Sequence, residues 1–221
     1  ATTRYVNTDC ANNGDGTAST CAAGAGLTGA YTTMANGATD VGTDYPNMVT
    51  SDVVVTLDCR GTAEDTSSPL FNSITTDATR YLIVGAYGSS THSGSWSTSK
   101  YRIGNSDTTA VVRTRLTNIR FENLQIDSKA STGANKGIRF ETGSGGGNIR
   151  ITGNIIRGSG TTTDAGNMGI DWDGTALSST NMIIANNIIY DFANDGMQIY
   201  GNNANDKFVI YNNTVADCGA V

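Results

Sequence analysis

Four segments in the second half of the chain repeat one pattern of apolar and polar positions. Each segment has two short apolar runs joined around an Asn. The segments are IRFENLQI (119–126), IRITGNIIRG (149–158), MIIANNIIYD (182–191) and FVIYNNTVAD (208–217). Apolar runs this short, bounded by turn-forming residues, are typical of β-strands rather than helices. The pattern therefore predicts pairs of short strands that recur along the chain.

The Asn at the centre of each segment predicts a sharp bend between the two strands. These residues are Asn123, Asn154, Asn187 and Asn213. Asn tolerates unusual backbone angles, and its side chain bonds readily to nearby backbone groups. If the bends stack on one another, the amides can also bond to each other. We expect these four residues to form an Asn ladder.

A second apolar motif follows each of the first three segments. Its copies are GIRFETG (137–143), GIDWDG (169–174) and GMQIYG (196–201). Each repeat thus offers three short strands separated by bends, which is the sequence pattern of a parallel β-helix. A β-sandwich would need longer alternating strands joined by hairpin turns. The predicted fold class is therefore all-β.

Alternation within both motifs predicts which side chains face the core, because successive residues of a strand point to opposite sides. The second motif supplies one inward face, and the first motif supplies another. The inward positions are Ile138, Phe140, Ile170, Trp172, Met197 and Ile199 on one face, and Ile149, Ile151, Ile183 and Val209 on the other.

The chain divides into an N-terminal part, residues 1–52, and a region of repeats, residues 53–221. The N-terminal part contains a first strand (1–7), a loop rich in Gly and Asp, and a short amphipathic helix (30–40). At the other end, the chain stops at Val221, where a further strand should begin. We expect more chain or another subunit to cover this end, because a bare end exposes apolar core and unpaired backbone groups.

Composition agrees with this picture and excludes several classes of function. Gly is abundant, with 27 residues, and Glu occurs only at Glu64, Glu122 and Glu141. The other acidic residues are Asp, which favours turns over helix interiors. The formal net charge of −6 argues against a nucleic-acid partner, which would need a basic face. No apolar run is long enough to span a membrane, so no membrane insertion is expected.

Two of the four cysteines, Cys10 and Cys21, flank a loop rich in Gly and Asn. A local disulfide is the natural interpretation, and two unpaired buried thiols are the alternative. Cys59 and Cys218 lie several repeats apart, which is too far for a bond. With one His and no Cys-x-x-Cys pair, a zinc site is not expected. A disulfide favours a secreted, cell-surface or virion-surface location.

The Asn-containing bends and the Gly-bounded strands resemble the repeats of right-handed parallel β-helix proteins in the pectate-lyase-like superfamily. That superfamily includes polysaccharide lyases, polygalacturonases, mannuronan epimerases and phage tailspikes. The resemblance implies a right-handed parallel β-helix whose N-terminal end is capped by a short helix, but it fixes no activity. The Gly-His-Gly and Arg-x-Lys motifs of polygalacturonases are absent from the sequence. The single His, His92, lies in a polar loop, where a solvated side chain is a simpler interpretation than a catalytic base.

Alternation also predicts an outward row of polar side chains, here called the outward stripe. Because Ile138 and Phe140 should point inward, Arg139 should point outward, and the same rule applies to the neighbouring repeats. The outward stripe consists of Arg113, Arg139, Glu141, Asp171, Asp173, Gln198 and Tyr200.

The outward stripe has the chemistry of a carbohydrate site. Carboxylates and amides bond sugar hydroxyls, tyrosine offers an apolar ring face, and arginine grips a uronate carboxylate. Asp171, Asp173 and Glu141 are the candidate catalytic residues, because glycosidases use paired carboxylates. The candidate substrate-binding residues are Arg113, Arg139, Gln198 and Tyr200. The alternative is a solvated face of ion pairs that contribute little to stability.

The sequence requires no cofactor, although calcium has two candidate sites. In one, Asp171, Asp173 and Asp195 beside Arg139 would mimic the calcium site of a pectate lyase. The other is the loop at residues 12–16, which carries Asn and Asp. That loop is too short for an EF-hand and lacks its closing Glu, so a plain turn is favoured.

Three classes of function follow from these features. The first is a carbohydrate-processing enzyme, which on this scaffold would be a polysaccharide lyase or a glycoside hydrolase. The second is a recognition or adhesion module that binds polysaccharide or a cell-surface glycan without cleaving it. The third is a structural or adhesive subunit of a fibre, filament or virion, without enzymatic activity. It would assemble by end-to-end or side-by-side packing, and its C-terminal end is the candidate surface for self-association. The outward stripe favours an extracellular or virion-surface module that engages polysaccharide.

Overall fold

The computed structural model of the protein describes residues 1–106, 109–129, 135–141, 147–159, 166–172, 180–201 and 204–219. Within these residues the chain is mainly β-strand, with one α-helix, α1 (Met34–Asp44), and one 3₁₀ turn (Gly88–Ser90). The strands are β1 (Thr2–Asn7), β2 (Val55–Arg60), β3 (Glu64–Asp65), β4 (Leu70–Phe71), β5 (Leu82–Gly85), β6 (Arg102–Asn105), β7 (Val112–Thr114), β8 (Ile119–Glu122), β9 (Gln125–Ser128), β10 (Lys136–Phe140), β11 (Asn148–Thr152), β12 (Ile155–Arg157), β13 (Met168–Trp172), β14 (Asn181–Ala185), β15 (Ile188–Tyr190), β16 (Asp195–Ile199), β17 (Lys207–Tyr211) and β18 (Thr214–Ala216).

The strands form three parallel sheets. The seven-stranded sheet has the order β1-β2-β5-β8-β11-β14-β17, the six-stranded sheet β18-β15-β12-β9-β6-β3, and the five-stranded sheet β16-β13-β10-β7-β4. From β2 onwards, consecutive strands visit the seven-, six- and five-stranded sheets in turn. Neighbours within a sheet are therefore three strands apart in the chain, which provides the long connection that parallel pairing needs. This arrangement confirms the all-β prediction and is compatible with a parallel β-helix.

The core runs between the sheets and contains a column of aromatic rings. The ring centroids of Phe71 and Phe121 are 6.1 Å apart, and those of Phe140 and Trp172 are 5.3 Å apart. Phe121 and Phe140 link these two pairs at 6.3 Å. The inward face predicted from the second motif is confirmed. Its buried or partly buried members are Ile138, Phe140, Ile170, Trp172, Met197 and Ile199.

The inward face predicted from the first motif is correct at Ile149 and Ile151 but wrong at Ile183 and Val209. Ile183 pairs with Arg150 on the outward side of the seven-stranded sheet. Val209 pairs with Ile183 and is 49% exposed. The reason is that β14 has consecutive apolar residues, so alternation alone does not decide which of them turns inward.

Three of the four predicted Asn residues stack at one bend. The Nδ2 of Asn154 donates to Oδ1 of Asn187 at 3.0 Å, and the Nδ2 of Asn187 donates to Oδ1 of Asn213 at 2.9 Å. The same two oxygens accept from the backbone N–H groups of Asn154 and Asn187, both at 3.0 Å. In the preceding repeat, the backbone N–H of Leu124 donates to Oδ1 of Asn154. The side chains thus satisfy backbone donors that the bend leaves out of the sheets.

Asn123 does not belong to this ladder, which corrects the prediction. Its backbone φ is 58°, like the φ of 58° at Asn186 and of 52° at Asn212. The first copy of the motif places its Asn one position earlier than the others, so that Leu124 occupies the ladder position. Asn123 instead takes the left-handed position of the bend, a conformation that Asn adopts more readily than most residues.

The helix α1 begins four residues later than the predicted segment, because Thr33 is its N-cap. The backbone of Thr33 is extended, and its side chain accepts from the N–H of Asn36. A second acceptor at this helix end is the buried carboxylate of Asp65, which accepts from the N–H of Met34 at 2.6 Å. The helix contacts β1, β2 and β4 and buries Met34 and Val41 against the core.

The predicted disulfide between Cys10 and Cys21 is confirmed, with the two Cα atoms 5.1 Å apart. Cys59 and Cys218 are free thiols, the first buried and the second half-buried. The disulfide is compatible with an extracellular location. Among the described residues, no helix has the length and apolar character needed to cross a membrane.

Candidate functional site

The five-stranded sheet places most of the outward stripe in one row. Arg113 on β7 lies beside Arg139 on β10, which lies beside Asp171 on β13. Asp171 in turn lies beside Gln198 on β16. Parallel neighbours are about 4.8 Å apart, so consecutive side chains of this row are within reach of one another.

Glu141 follows β10 directly and forms ion pairs with two arginines from the neighbouring segment of chain. Its backbone N–H donates to the carbonyl of Thr114 at 2.9 Å, which fixes its position beside β7. Its Oε2 lies 2.8 Å from Nη2 of Arg115, and its Oε1 lies 3.6 Å from Nη1 of Arg113. Two guanidinium groups therefore converge on one carboxylate.

A second ion pair lies one strand further along the stripe. The Nε of Arg139 is 3.5 Å from Oδ2 of Asp171. The carboxylates lie deeper than the arginines, because the side chains of Asp171 and Glu141 are only 7% and 12% exposed. The most exposed of these charged groups is Arg115, whose side chain is 51% exposed. A ligand approaching this side of the sheet would therefore meet guanidinium groups first.

Arg115 was not among the predicted site residues. The segment VVRTR (111–115) carries the signal for it, because Arg113 and Arg115 are two positions apart and alternation places both on the same side of a strand. The strand β7 ends at Thr114, so Arg115 lies one residue beyond the strand that carries Arg113.

Of the three remaining members of the outward stripe, the structure describes two. Gln198 is half-buried on β16, and Tyr200 follows that strand with 55% of its surface exposed. Asp173 lies outside the described residues. The pairing of the Asp171 and Asp173 carboxylates, on which the glycosidase prediction rests, therefore stays a prediction.

The two candidate calcium sites offer limited support for a metal. Asp195 pairs with Met168, three residues away from the position of Gln198 beside Asp171. In the N-terminal loop, Oδ1 of Asp15 accepts from the N–H and hydroxyl of Thr17, which lowers the pKa of Asp15. The carboxylate of Asp15 therefore bonds to groups of the turn in which it lies. In the part of the chain that the structure describes, no three His, Cys, Asp or Glu side chains are grouped to hold a metal ion.

His92 lies away from the outward stripe, in the loop that follows β5. Its Nδ1 accepts from the backbone N–H of Gly94 at 3.2 Å. Partial burial lowers the pKa of His92, so the neutral imidazole is favoured near pH 7.

A polar group on the six-stranded sheet was also missed from the sequence. Arg157 lies 2.7 Å from Oδ2 of Asp127, and its guanidinium stacks over the ring of Trp96 at 3.8 Å from the centroid. The loop that carries Trp96 is anchored by Gln125, whose amide both accepts from and donates to the backbone of Ser97. No repeat motif contains the loop, so only the structure brings Trp96 to Arg157.

The geometry thus places two arginine–carboxylate clusters in one row on the five-stranded sheet. Comparisons of the chain with protein-family models, with curated proteins and with solved structures found no match in any of the three.

Proposed function

We propose that the protein is an extracellular or virion-surface module that binds an acidic polysaccharide along the outward stripe. Its scaffold would be a right-handed parallel β-helix of the pectate-lyase-like kind, with α1 capping the N-terminal end of the core. The cycling of consecutive strands through three parallel sheets supports this scaffold. The disulfide between Cys10 and Cys21 supports the extracellular setting.

The observation that carries the proposal is the row of arginines on the five-stranded sheet. Arg113, Arg115 and Arg139 lie above the two carboxylates of Glu141 and Asp171. Among these five described side chains, guanidinium groups outnumber carboxylates by three to two, in a chain whose formal net charge is −6. Guanidinium groups bind carboxylates with two parallel hydrogen bonds, and a uronate polymer presents a carboxylate on every sugar. Arg113 and Arg139 lie on neighbouring strands, about 4.8 Å apart, so both can face such a polymer.

The test compares binding to immobilised polygalacturonate, alginate and neutral dextran. The wild-type protein should bind one of the two acidic polymers and not dextran, and its affinity should fall as salt is added. Arg115→Gln should weaken binding by about tenfold, because a charge-assisted hydrogen bond is lost at an exposed position. Glu141 keeps a partner in Arg113 in this variant.

Arg150→Gln is the matched control, because it removes the same charge from an exposed position on the seven-stranded sheet. It should bind as wild type does. Equal losses in the two variants would mean that net charge, rather than the stripe, drives binding. If dextran bound as well as the acidic polymers did, the proposal would fail.

The same samples answer whether the site is catalytic. Polymer length is followed by size-exclusion chromatography, with and without calcium, for wild type and Asp171→Asn. Shortening that the variant abolishes would make the protein a lyase or a hydrolase that acts at the stripe. Binding without shortening would leave it a recognition module.

A second candidate function is that of a structural subunit that assembles with further copies of this chain. The observation in its favour is a group of exposed apolar side chains on the last two strands. They are Val209, Ile210, Tyr211 and Val215. Exposed apolar side chains of this kind favour an interaction with another surface.

Light scattering during size-exclusion chromatography tests this candidate. Assembly through β17 predicts a concentration-dependent mass above that of one chain, and Val209→Lys should return the protein to a monomer. A wild-type mass of one chain at all concentrations would exclude self-assembly.

A further inference from the structure

An open polar cavity lies on a different side of the molecule from the outward stripe. It has a volume of about 340 Å³ and is formed where β1 and β2 end, beside the disulfide-closed loop and the segment that follows β5. Its lining includes Asn7, Asp9, Ser19, Arg60, Ser89 and Ser90. A volume above about 300 Å³ is within the range of small-molecule sites in proteins.

One wall of the cavity is held in place by a carboxylate. Asp9 accepts from the N–H of Thr62 at 2.9 Å, from the hydroxyl of Thr62 at 3.1 Å, and from the N–H of Ala63 at 2.8 Å. Between these residues and β2, Gly61 has a φ of +107°, and a Cβ there would lie 2.3 Å from the hydroxyl of Thr8. The turn therefore accepts only glycine, and its shape is fixed.

Covalent and hydrogen bonds hold the other walls of the cavity in place. Cys10 and Cys21 close the loop that carries Ser19. Arg102 donates from Nη1 to the carbonyls of Thr62 at 2.5 Å and Thr98 at 2.6 Å, which links the segment after β5 to the turn after β2. The cavity is thus built from three separate stretches of chain held by bonds between them, so a ligand would find it already formed.

The charges around the cavity balance. Arg60 is the cation of the lining, and its Nε and Nη2 already bond to Oδ2 of Asp58 at 3.0 and 2.7 Å. Asp9 is the anion of the lining, and hydrogen bonds from Ala63 and Thr62 lower its pKa, so it stays ionised near neutral pH. Asp58 offsets the charge of Arg60, and Arg102, which bonds to the carbonyl of Thr62, offsets that of Asp9, so the site gives no strong advantage to a charged ligand.

Hydroxyl groups supply the rest of the chemistry. The hydroxyls of Ser19, Ser89 and Ser90 belong to the lining, and each can donate and accept a hydrogen bond. A ligand that matches them must itself carry several hydroxyls at short spacing. We propose that this cavity binds one neutral hexose unit. The proposal does not depend on polysaccharide binding at the outward stripe.

The test uses titration calorimetry and saturation-transfer NMR with glucose, galactose and mannose, and with glucuronate and glucosamine as charged comparators. At least one neutral hexose should bind saturably, and more tightly than either charged sugar. Ser89→Trp should abolish this binding by filling the cavity from an exposed position. Ser95→Trp is the matched control, because Ser95 is exposed in the same segment but does not line the cavity, and it should bind as wild type does.

Circular dichroism verifies that each variant is folded, and Ser19→Trp fills the cavity from the opposite wall should Ser89→Trp not fold. Failure of every neutral hexose to bind would overturn the proposal, as would unchanged binding in a folded variant with a filled cavity or tighter binding of a charged sugar. Arg115→Gln should leave hexose binding unchanged, so the outcome here is separate from the outcome at the outward stripe.

Discussion

At the scale of single residues, Asp65 is the least exposed charged side chain among the described residues. Only 1% of it is exposed, and it accepts from three donors: the N–H of Met34, the hydroxyl of Tyr101 at 2.9 Å and the N–H of Ser67 at 3.0 Å. A carboxylate at a helix N-terminus is favoured by the helix dipole. One side chain therefore ties α1, β3 and the segment before β6 together.

Asp65→Ala should lower the free energy of unfolding by about 3 kcal/mol, because buried donors lose a charged acceptor. Urea unfolding followed by circular dichroism measures the change. Asp44→Ala is the control, since Asp44 pairs with Arg4 at the surface and should cost less than about 1 kcal/mol. Similar losses in both variants would contradict the anchoring role of Asp65.

Asp9 predicts a dependence of stability on pH. Hydrogen bonds from the backbone of Ala63 and Thr62 hold its pKa below the usual value in the folded state. The stability this contributes is present above the pKa of an unfolded Asp, about 3.9, and is lost as pH falls through the lower folded-state value. Asp9→Asn should therefore be less stable than wild type near pH 7, and the difference should shrink as urea unfolding is repeated at more acidic pH. A difference that stays constant with pH would rule out this linkage.

At the scale of elements, the Asn ladder fixes how successive bends stack. Asn187 is central, because its Nδ2 donates to both Oδ1 of Asn213 and the carbonyl of Ile151, while its Oδ1 accepts from Asn154. Only 1% of its surface is exposed. Water cannot replace these bonds easily once the amide is removed.

Asn187→Ala should cost about 2–4 kcal/mol of unfolding free energy, because several buried groups lose their partners at once. The neighbouring Asn186 provides the control. It is exposed and has a φ of 58°, so Asn186→Gly should be close to neutral. Thermal unfolding of the two variants separates the roles, and a larger loss at Asn186 would mean that the backbone angle, rather than the ladder, stabilises the bend.

The strands themselves were predictable from the sequence, but their exact alignment was not. The Asn of the first repeat is one position early, and an alignment on the apolar residues of the motif would have placed Leu124 rather than Asn123 beside Asn154. By contrast, the consecutive apolar residues of β14 left Ile183 ambiguous. Both errors concern register. Alternation gives the period of a strand, whereas the register is decided by the neighbouring strands.

At the scale of the whole molecule, the repeat in the sequence predicted the outward stripe but not the contacts that the loops make. Arg113, Arg139 and Asp171 belong to strands, and the register of those strands brings them together. The cavity near Ser89 and the stack of Trp96 on Arg157 are formed by loops of no fixed length. Contacts between loops that are far apart in the chain leave no periodic pattern in the sequence, so the repeat could not predict them.

The stacking of strands also predicts an uneven stability along the molecule. In repeat architectures each layer contacts mainly its neighbours, so local stability follows local burial. The strands that carry Phe121, Phe140 and Trp172 are enclosed on both sides, whereas β17 and β18 are largely exposed and are the outermost strands of their sheets among the described residues.

Amide hydrogen exchange should therefore be slowest in β8, β10 and β13 and fastest in β17 and β18. Trp172→Ala, which empties part of the aromatic column, should cost about 3–5 kcal/mol and speed exchange in β10 and β16, the two neighbours of its strand, before it affects β1 or α1. Phe208→Ala, on the largely exposed strand β17, serves as the comparison. It should cause a smaller loss of unfolding free energy, and faster exchange should be confined to β14 and β17. Uniform exchange along the chain would show that the sheets open as a single unit, and stability would then depend on the whole core rather than on each layer and its neighbours.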